Sequence, residues 1–173
     1  MRWSKLKKNI ENNFCNSLKG KVQIYTTTYG TGYDVTDMFN RGWITLDGKE
    51  VVNFSTPDSF KIFGSDYNST TMSNLWAVEK TFNERNERRL IEKGEFSKFD
   101  LTHCCYEYLN MNITDALNHD SPIINSLAIL DERCGKRTLK KYAESKVKTH
   151  PLFDFFLELR IEADRNKTTT NTV

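Results

Sequence analysis

The sequence contains no run of about 18 consecutive apolar residues, so we expect no membrane-spanning helix. It also lacks an excess of either charge: 25 Lys and Arg face 23 Asp and Glu, for a net charge of +2. Such a balance gives no overall attraction to nucleic acid or to a membrane surface. No internal repeat is visible, which excludes a solenoid or propeller built from repeated units.

Cysteine is scarce as well, and the four residues are Cys15, Cys104, Cys105 and Cys134. The adjacent pair fits neither a disulfide framework nor the CxxC spacing that brings two thiolates onto one zinc ion. The basic opening Met1–Lys8 leads into no apolar segment of a secretory signal. We therefore expect a cytoplasmic protein with reduced thiols, no metal and no other cofactor.

Catalytic chemistry leaves no recognisable pattern in the sequence. There is no GxSxG nucleophile elbow, no HExxH zinc motif and no GxxxxGK[ST] phosphate loop. Cysteine and histidine concentrate only at His103-Cys104-Cys105, with His119 downstream. A buried Cys105 and a partly exposed His103 explain that segment better than metal ligands do. We name no catalytic residue, and whether the protein is an enzyme stays open.

Large apolar side chains are plentiful, since 38% of the residues are hydrophobic and 12% are aromatic. A chain near this length buries about 68–70% of its unfolded surface, which is enough for a real core. We predict one domain over residues 1–165, followed by a disordered polar tail at residues 166–173.

Residues 1–72 carry the pattern of one helix followed by strands. Apolar residues at three- and four-residue steps, from Trp3 to Phe14, predict an amphipathic helix with Ser4 as its N-cap and Gly20 as its stop. Leu18 is expected to close its apolar face. From Val22 onward apolar and polar residues alternate, which predicts a half-buried strand.

The clearest local signal is Asp47-Gly48, which lies between the β-rich runs 42–46 and 50–54. Glycine tolerates the positive φ of a tight turn, so this pair predicts a β-hairpin. Because an isolated hairpin is not stable, we expect a small antiparallel meander packed on the N-terminal helix. A loop with a short strand at Phe60–Phe63 is predicted to follow.

Residues 73–165 are predicted to be helical, which makes the fold class α+β. A long helix is expected from Ser73 to Lys93, where the charged second half has no apolar face. Further helices are predicted at 97–109, 114–117, 121–135, 138–147 and 152–163. The pair Ser121-Pro122 is the best start signal among them, because it places an N-cap before proline at the first helical position.

Charge is distributed unevenly along the chain. Residues 133–148 hold seven Lys and Arg against one Glu, while residues 96–131 hold one Lys against five Asp and Glu. A basic helix of this kind is typical of a phosphate or nucleic-acid surface, and equally of a solvated face balanced by acidic neighbours. We favour the solvated face, because the whole chain is nearly neutral. The candidate binding surface consists of Arg133, Lys136, Arg137, Lys140 and Lys141.

Aromatic residues are the other concentration, with Tyr25, Tyr29, Tyr33 and Trp43 in the predicted sheet region. On one exposed face they would form a stacking platform for bases or for a protein partner. The more common arrangement is that such residues pair across neighbouring strands or fill the core.

Segments spread over most of the chain resemble a family of small, uncharacterised bacterial proteins. These segments are WSKLKK at 3–8, SLKGKV at 17–22, WITLDGKE at 43–50, GEFS at 94–97, SPII at 121–124, LDERCGKR at 130–137 and HPL at 150–152. The resemblance implies a bacterial cytosolic origin and one cooperative fold. It transfers no activity, cofactor or site residue.

Three functions follow as hypotheses. The first is a non-enzymatic protein-binding module, with a protein partner and no membrane association. The alternative is nucleic-acid or phosphate binding through the basic segment 133–148. The second alternative is an enzyme without a recognisable motif. An exposed apolar patch with a polar rim would favour the protein-binding module, and a continuous positive stripe would favour nucleic-acid binding.

Overall fold

The computed structural model describes residues 1–29, 39–55, 79–81, 91–93, 96–145 and 149–170. It combines helices with a β-sheet, which confirms the predicted α+β class. The chain forms two compact units, one made of Met1–Val22 with His103–Val173 and the other of Gln23–Thr102. In the described part of the chain, no helix combines the length and apolar character needed to cross a membrane.

The first unit begins with helix α1, Trp3–Asn13, which buries Leu6 and Ile10. Its N-cap is Arg2, so the prediction of Ser4 as the cap was wrong by two residues. No side chain caps this end, since the side chain of Arg2 has no oxygen that could accept the first N–H groups. The helix ends at Asn13 and not at the predicted stop Gly20. Phe14 is extended and forms an antiparallel bridge with Asp131, and a turn follows at 16–21.

Among the described residues from 96 onward, five further helices are present. They are α2 Lys98–Tyr108, α3 Ile113–Leu117, α4 Pro122–Leu130, α5 Lys136–Glu144 and α6 Pro151–Thr170. Helix α4 packs against α6, and α5 packs against the same helix. One cluster of the core contains Ile129, Cys134, Leu139, Phe153 and Leu157.

The helix ends show which start signals were reliable. Ser97 caps α2, because its hydroxyl accepts the Asp100 N–H at 3.2 Å and the Asp100 carboxylate accepts the Ser97 N–H at 2.7 Å. The start at Ser121-Pro122 is also confirmed. Gly135 had been predicted to end α4, but that helix ends at Leu130 and Gly135 is the N-cap of α5.

Other boundaries differ from the prediction as well, and α5 covers Lys136–Glu144 where the sequence predicts 138–147. Asn112 caps α3 by accepting the Asp115 N–H at 2.9 Å, so Thr114 is not the cap. Helix α6 continues to Thr170, into the polar segment 166–173 for which the sequence predicts disorder.

The second unit contains a five-stranded sheet. Its strands are β1 Val22–Tyr29, β2 Phe39–Leu46, β3 Lys49–Ser55, β4 Glu79–Thr81 and β5 Ile91–Lys93. Their order in the sheet is β1-β2-β3-β5-β4. The pairs β2/β3 and β4/β5 are antiparallel, and β3/β5 is parallel.

The predicted hairpin is confirmed by the pairing of β2 with β3. Asp47 and Gly48 both have positive φ, at 49° and 79°, as a type I′ turn requires. On β1 and β2, the rings of Tyr25 and Trp43 stack at a centroid distance of 5.2 Å. These two aromatic residues therefore contact each other across neighbouring strands.

The long helix predicted from Ser73 to Lys93 is wrong where the structure describes it. Glu79–Thr81 and Ile91–Lys93 are strands that pair with each other. The short strand predicted at Phe60–Phe63 lies outside the described residues, as does Tyr33.

Candidate functional site

A buried carboxylate lies at the turn between α4 and α5. Asp131 follows the last residue of α4 and is completely buried. Its carboxylate accepts hydrogen bonds from the Tyr108 hydroxyl and from the Arg133 backbone N–H, the latter at 2.7 Å. The Arg133 guanidinium closes the network, with Nη2 at 2.6 Å from Oδ2. A buried charge is tolerated only when it is paired and hydrogen-bonded in this way.

The same network keeps Tyr108 and Arg133 protonated. Burial and the hydrogen bond to Asp131 raise the pKa of Tyr108 well above its usual range. The hydrogen bond to Asp131 also raises the pKa of Arg133. Arg133 belongs to the predicted binding surface, and 44% of its side chain is exposed. A phosphate bound to its guanidinium would therefore have to compete with a buried carboxylate.

Arg160, on α6, is a buried cation that sequence reasoning had not singled out. Its guanidinium donates to the backbone oxygens of Ile129 at 3.0 Å, Asp131 at 2.9 Å and Cys134 at 3.3 Å. These carbonyls belong to the last turn of α4 and to the chain that follows it, where a helix leaves acceptors without partners. Arg160 therefore joins α6 to the α4–α5 turn.

The sequence did carry a signal for this role. Phe153, Phe156 and Leu157 form the buried stripe of α6, and Arg160 occupies the next position of the same stripe. A charged residue at such a position needs buried partners. Arg160 Nε also donates to Asp164 at 3.1 Å, and that carboxylate accepts the Ser17 hydroxyl at 3.0 Å.

The remaining four cations of the predicted surface lie on α5, and all four are exposed. At 3.6 residues per turn, Lys136 and Lys140 lie about 40° apart around the helix axis, whereas Arg137 and Lys141 lie about 100° and 140° from Lys136. The four α5 cations therefore occupy one exposed arc of about 140°. Arg133, which precedes α5, is held by Asp131.

Lys136 and Lys140 border a groove between α5 and α6, with a volume of about 480 Å³, which we call the α5/α6 groove. Its apolar lining consists of Leu139, Ala143 and Ile161, and its charged lining of Lys136, Lys140, Glu144, Asp164 and Arg165. The small side chain of Ala143 leaves the space between the two helices open. Of these apolar side chains Ala143 is exposed, Ile161 is half-buried and Leu139 is buried, so the apolar surface open to a partner comes mainly from Ala143 and Ile161.

The two carboxylates in the groove already have cationic partners. Glu144 lies 3.7 Å from Lys140 in an exposed ion pair, and Asp164 binds the buried Arg160. Lys136 adds a further positive charge at the beginning of α5. The α5 side of the groove is therefore positive in balance.

Comparison with known proteins identifies one family. The family model of the SF0329 protein family matches residues 2–161. The chain belongs to the SF0329 protein family. No curated protein and no solved structure matches it.

The match places most of the groove within the part that defines the SF0329 family. Helix α5 and Ile161 fall inside the matched residues, whereas Asp164 and Arg165 lie just beyond them. The Asp131–Arg133 turn and the buried Arg160 are also inside the match. The residues that join α6 to the turn before α5 therefore lie in the part of the chain that the family model covers.

Two histidines of this SF0329 family member approach a single carboxylate. Nε2 of His103 and Nε2 of His119 lie 3.8 Å and 3.6 Å from the Glu107 oxygens. His119 Nδ1 accepts the Ser121 backbone N–H at 2.9 Å, so in the neutral ring Nε2 carries the proton and cannot bind a metal. Among the described residues, no group of three His, Cys, Asp or Glu is arranged to hold a metal ion.

The cysteines offer little nucleophilic chemistry. All four are buried and none forms a disulfide. Burial raises the pKa of Cys105, and it raises the pKa of Cys134 to about 11. Because the thiolate is the reactive form, a buried and protonated thiol is a poor nucleophile.

Proposed function

We propose that this SF0329 family member is a non-enzymatic cytoplasmic protein of bacterial origin that binds another protein through the α5/α6 groove. The observation that carries the proposal is the apolar lining left open between two helices and bordered by charge. In this mode an apolar side chain of the partner enters the space above Ala143. The exposed charges around it then orient the partner.

The energetics favour an apolar anchor. Removing apolar surface from water contributes about 25 cal/mol per Å², and fully burying one Leu or Phe side chain contributes about 1.5–3 kcal/mol. Binding energy at protein interfaces is concentrated in a few such anchors. The exposed lysines contribute less to affinity, because surface ion pairs are typically worth no more than about 1 kcal/mol.

The support beneath the groove argues for a rigid site. Arg160 fixes α6 to the α4–α5 turn, and Leu139 belongs to the core cluster that joins α5 to α6. A preorganised site binds its partner without a further entropic cost of ordering the helices.

Nucleic-acid binding is less well supported by the same residues. Phosphate contacts need several aligned cations, yet Arg133 is committed to Asp131 and Lys140 pairs with Glu144. An apolar lining contributes nothing to a phosphate backbone. Photo-cross-linking distinguishes a protein partner from a nucleic acid.

Site-specific photo-cross-linking in cells of the source organism tests the proposal. p-Benzoylphenylalanine introduced in place of Lys140 borders the groove. The same residue introduced in place of Lys8, which is exposed on α1, is the matched control. We expect one protein to cross-link at position 140 and not at position 8. The cross-link should disappear when Ala143→Phe fills the groove, and the circular dichroism spectrum should not change.

Three results would contradict the proposal. They are equal cross-linking at both positions, a cross-link that survives Ala143→Phe, and capture of nucleic acid instead of protein. A cross-link to a second copy of the chain would likewise replace the proposed partner with self-association.

A further inference from the structure

We infer that the partner segment is an amphipathic helix of about two to three turns, with carboxylates along the edge that lies against α5. The inference rests on the proposed function and adds the conformation and charge of the segment that binds. The backbone chemistry of the groove carries the first part, and its charges carry the second.

The helical conformation follows from hydrogen bonding. The groove lies between two helices, and its apolar lining comes from Leu139, Ala143 and Ile161. The N–H and C=O groups in the middle of a helix are already paired, so the groove has no strand edge to which an extended peptide can add. An extended segment would lay unpaired backbone groups against apolar side chains, which is costly. A helix pairs its own backbone and presents only side chains.

The length of α5 limits the length of the partner helix. Helix α5 has 9 residues, which span about 13 Å at 1.5 Å per residue. A partner helix lying alongside it would contact the groove over two to three turns. Its apolar anchors should therefore recur at three- and four-residue steps over about 9–12 residues.

The direction of the charge preference follows from the two walls. On the α5 side Lys136 and Lys140 border the groove, and Glu144 is already paired with Lys140. On the α6 side Asp164 is bound to Arg160, and Arg165 adds a further cation. The rim of the groove is therefore positive in balance, and α5 contributes two of its cations. Carboxylates of the partner are favoured along the edge that lies against α5, where they meet both lysines.

A pair of synthetic peptides tests the inference directly. Both have 12 residues, the same leucines on one face and a side-chain lactam that holds the helix, and they differ only in Glu or Lys along one edge. Methyl NMR signals of Ala143 and Ile161 report on the groove, and the methyl of Ala116, buried in α3, is the control. We expect the Glu peptide to shift the two groove signals and to leave the control signal unchanged. Its dissociation constant should be at least about tenfold lower than that of the Lys peptide.

Charge reversal in the protein completes the test. In Lys136→Glu/Lys140→Glu the preference should reverse, so that the Lys peptide binds more tightly than the Glu peptide. A third peptide with its leucines spaced every second residue should not shift the groove signals, because its apolar side chains do not share one helical face.

The outcomes separate this inference from the function beneath it. Suppose that position 140 still cross-links to a partner, but the Lys peptide binds more tightly than the Glu peptide, or the peptide with leucines at every second residue binds as tightly as the Glu peptide. The inference of a helical, acidic partner then fails, while the proposed function stands. If cross-linking at position 140 also fails, the proposed function falls with it. If neither helical peptide binds, the inference is also overturned.

Discussion

At the scale of single residues, Asp131 illustrates how one buried charge organises its surroundings. Its carboxylate binds Tyr108 and Arg133 through their side chains, and its backbone oxygen accepts a hydrogen bond from Arg160. The sequence marked the segment 131–137 only by its density of charge. The burial of the carboxylate depends on α2 and α6, which come together only in the fold.

The Asp131–Arg133 pair should be essential for stability. Arg133→Gln leaves a buried carboxylate without its cation, and we expect a loss of about 2 kcal/mol in the free energy of unfolding. This is below the roughly 3–5 kcal/mol of a fully buried pair, because water reaches Arg133. The control Arg137→Gln removes an exposed cation and should cost less than about 0.5 kcal/mol. Urea unfolding of both variants compares them, and equal losses would refute the argument.

The buried thiols predict a sensitivity to alkaline pH. Burial raises the pKa of Cys134 to about 11, whereas a thiol in the unfolded chain has a pKa of about 8.5. The folded chain thus retains a proton that the unfolded chain loses. The contribution of the protonated Cys134 thiol to the free energy of unfolding is fully present below about pH 8.5 and is lost as the pH rises toward 11. Cys134→Ala should flatten this decline between pH 8.5 and 11, and an unchanged profile would contradict the assignment.

At the scale of elements, the β2–β3 hairpin was predictable because its determinant is local. Two residues set the turn, and both have the positive φ that the Asp-Gly pair tolerates. Strands β4 and β5 were not predictable in this way. Each has three residues, too few for a period of two. They pair with each other, and β5 also pairs with β3, which is distant in sequence.

The turn gives a direct test at this scale. Gly48 has φ of 79°, and a Cβ at this position would meet no atom within 4 Å, so the cost of substitution is conformational and not steric crowding. Gly48→Val should therefore destabilise the protein by at least about 1 kcal/mol. Gly48→Asn should cost less, since asparagine tolerates the left-handed region. Thermal unfolding measures both, and equal costs would show that φ is not the cause.

The candidate site shows the same division between local and distant determinants. The cations of α5 were identified from composition alone. The groove was not, because it needs Ala143 and Ile161 from two helices that only the fold places side by side. Arg133 was placed on the candidate surface by its charge alone, and the carboxylate two residues away that holds it was not foreseen.

At the scale of the whole molecule, we propose that the two compact units belong to one cooperative domain over residues 1–165. A variant that keeps only Trp3 reports on the first unit, and one that keeps only Trp43 reports on the second. If the domain is cooperative, their fluorescence transitions in urea should coincide with the loss of helical circular dichroism. Two separated midpoints would show that the units unfold independently.

The contacts of Arg160 have an evolutionary consequence. A lysine ends in one point charge and cannot span three carbonyl oxygens as a planar guanidinium does. Inserting or deleting a residue between Asp131 and Cys134 would move at least one of the acceptors. Among descendants of a common ancestor, arginine at this position and the length of the loop should thus be inherited together. A lineage that alters one should also have altered the other.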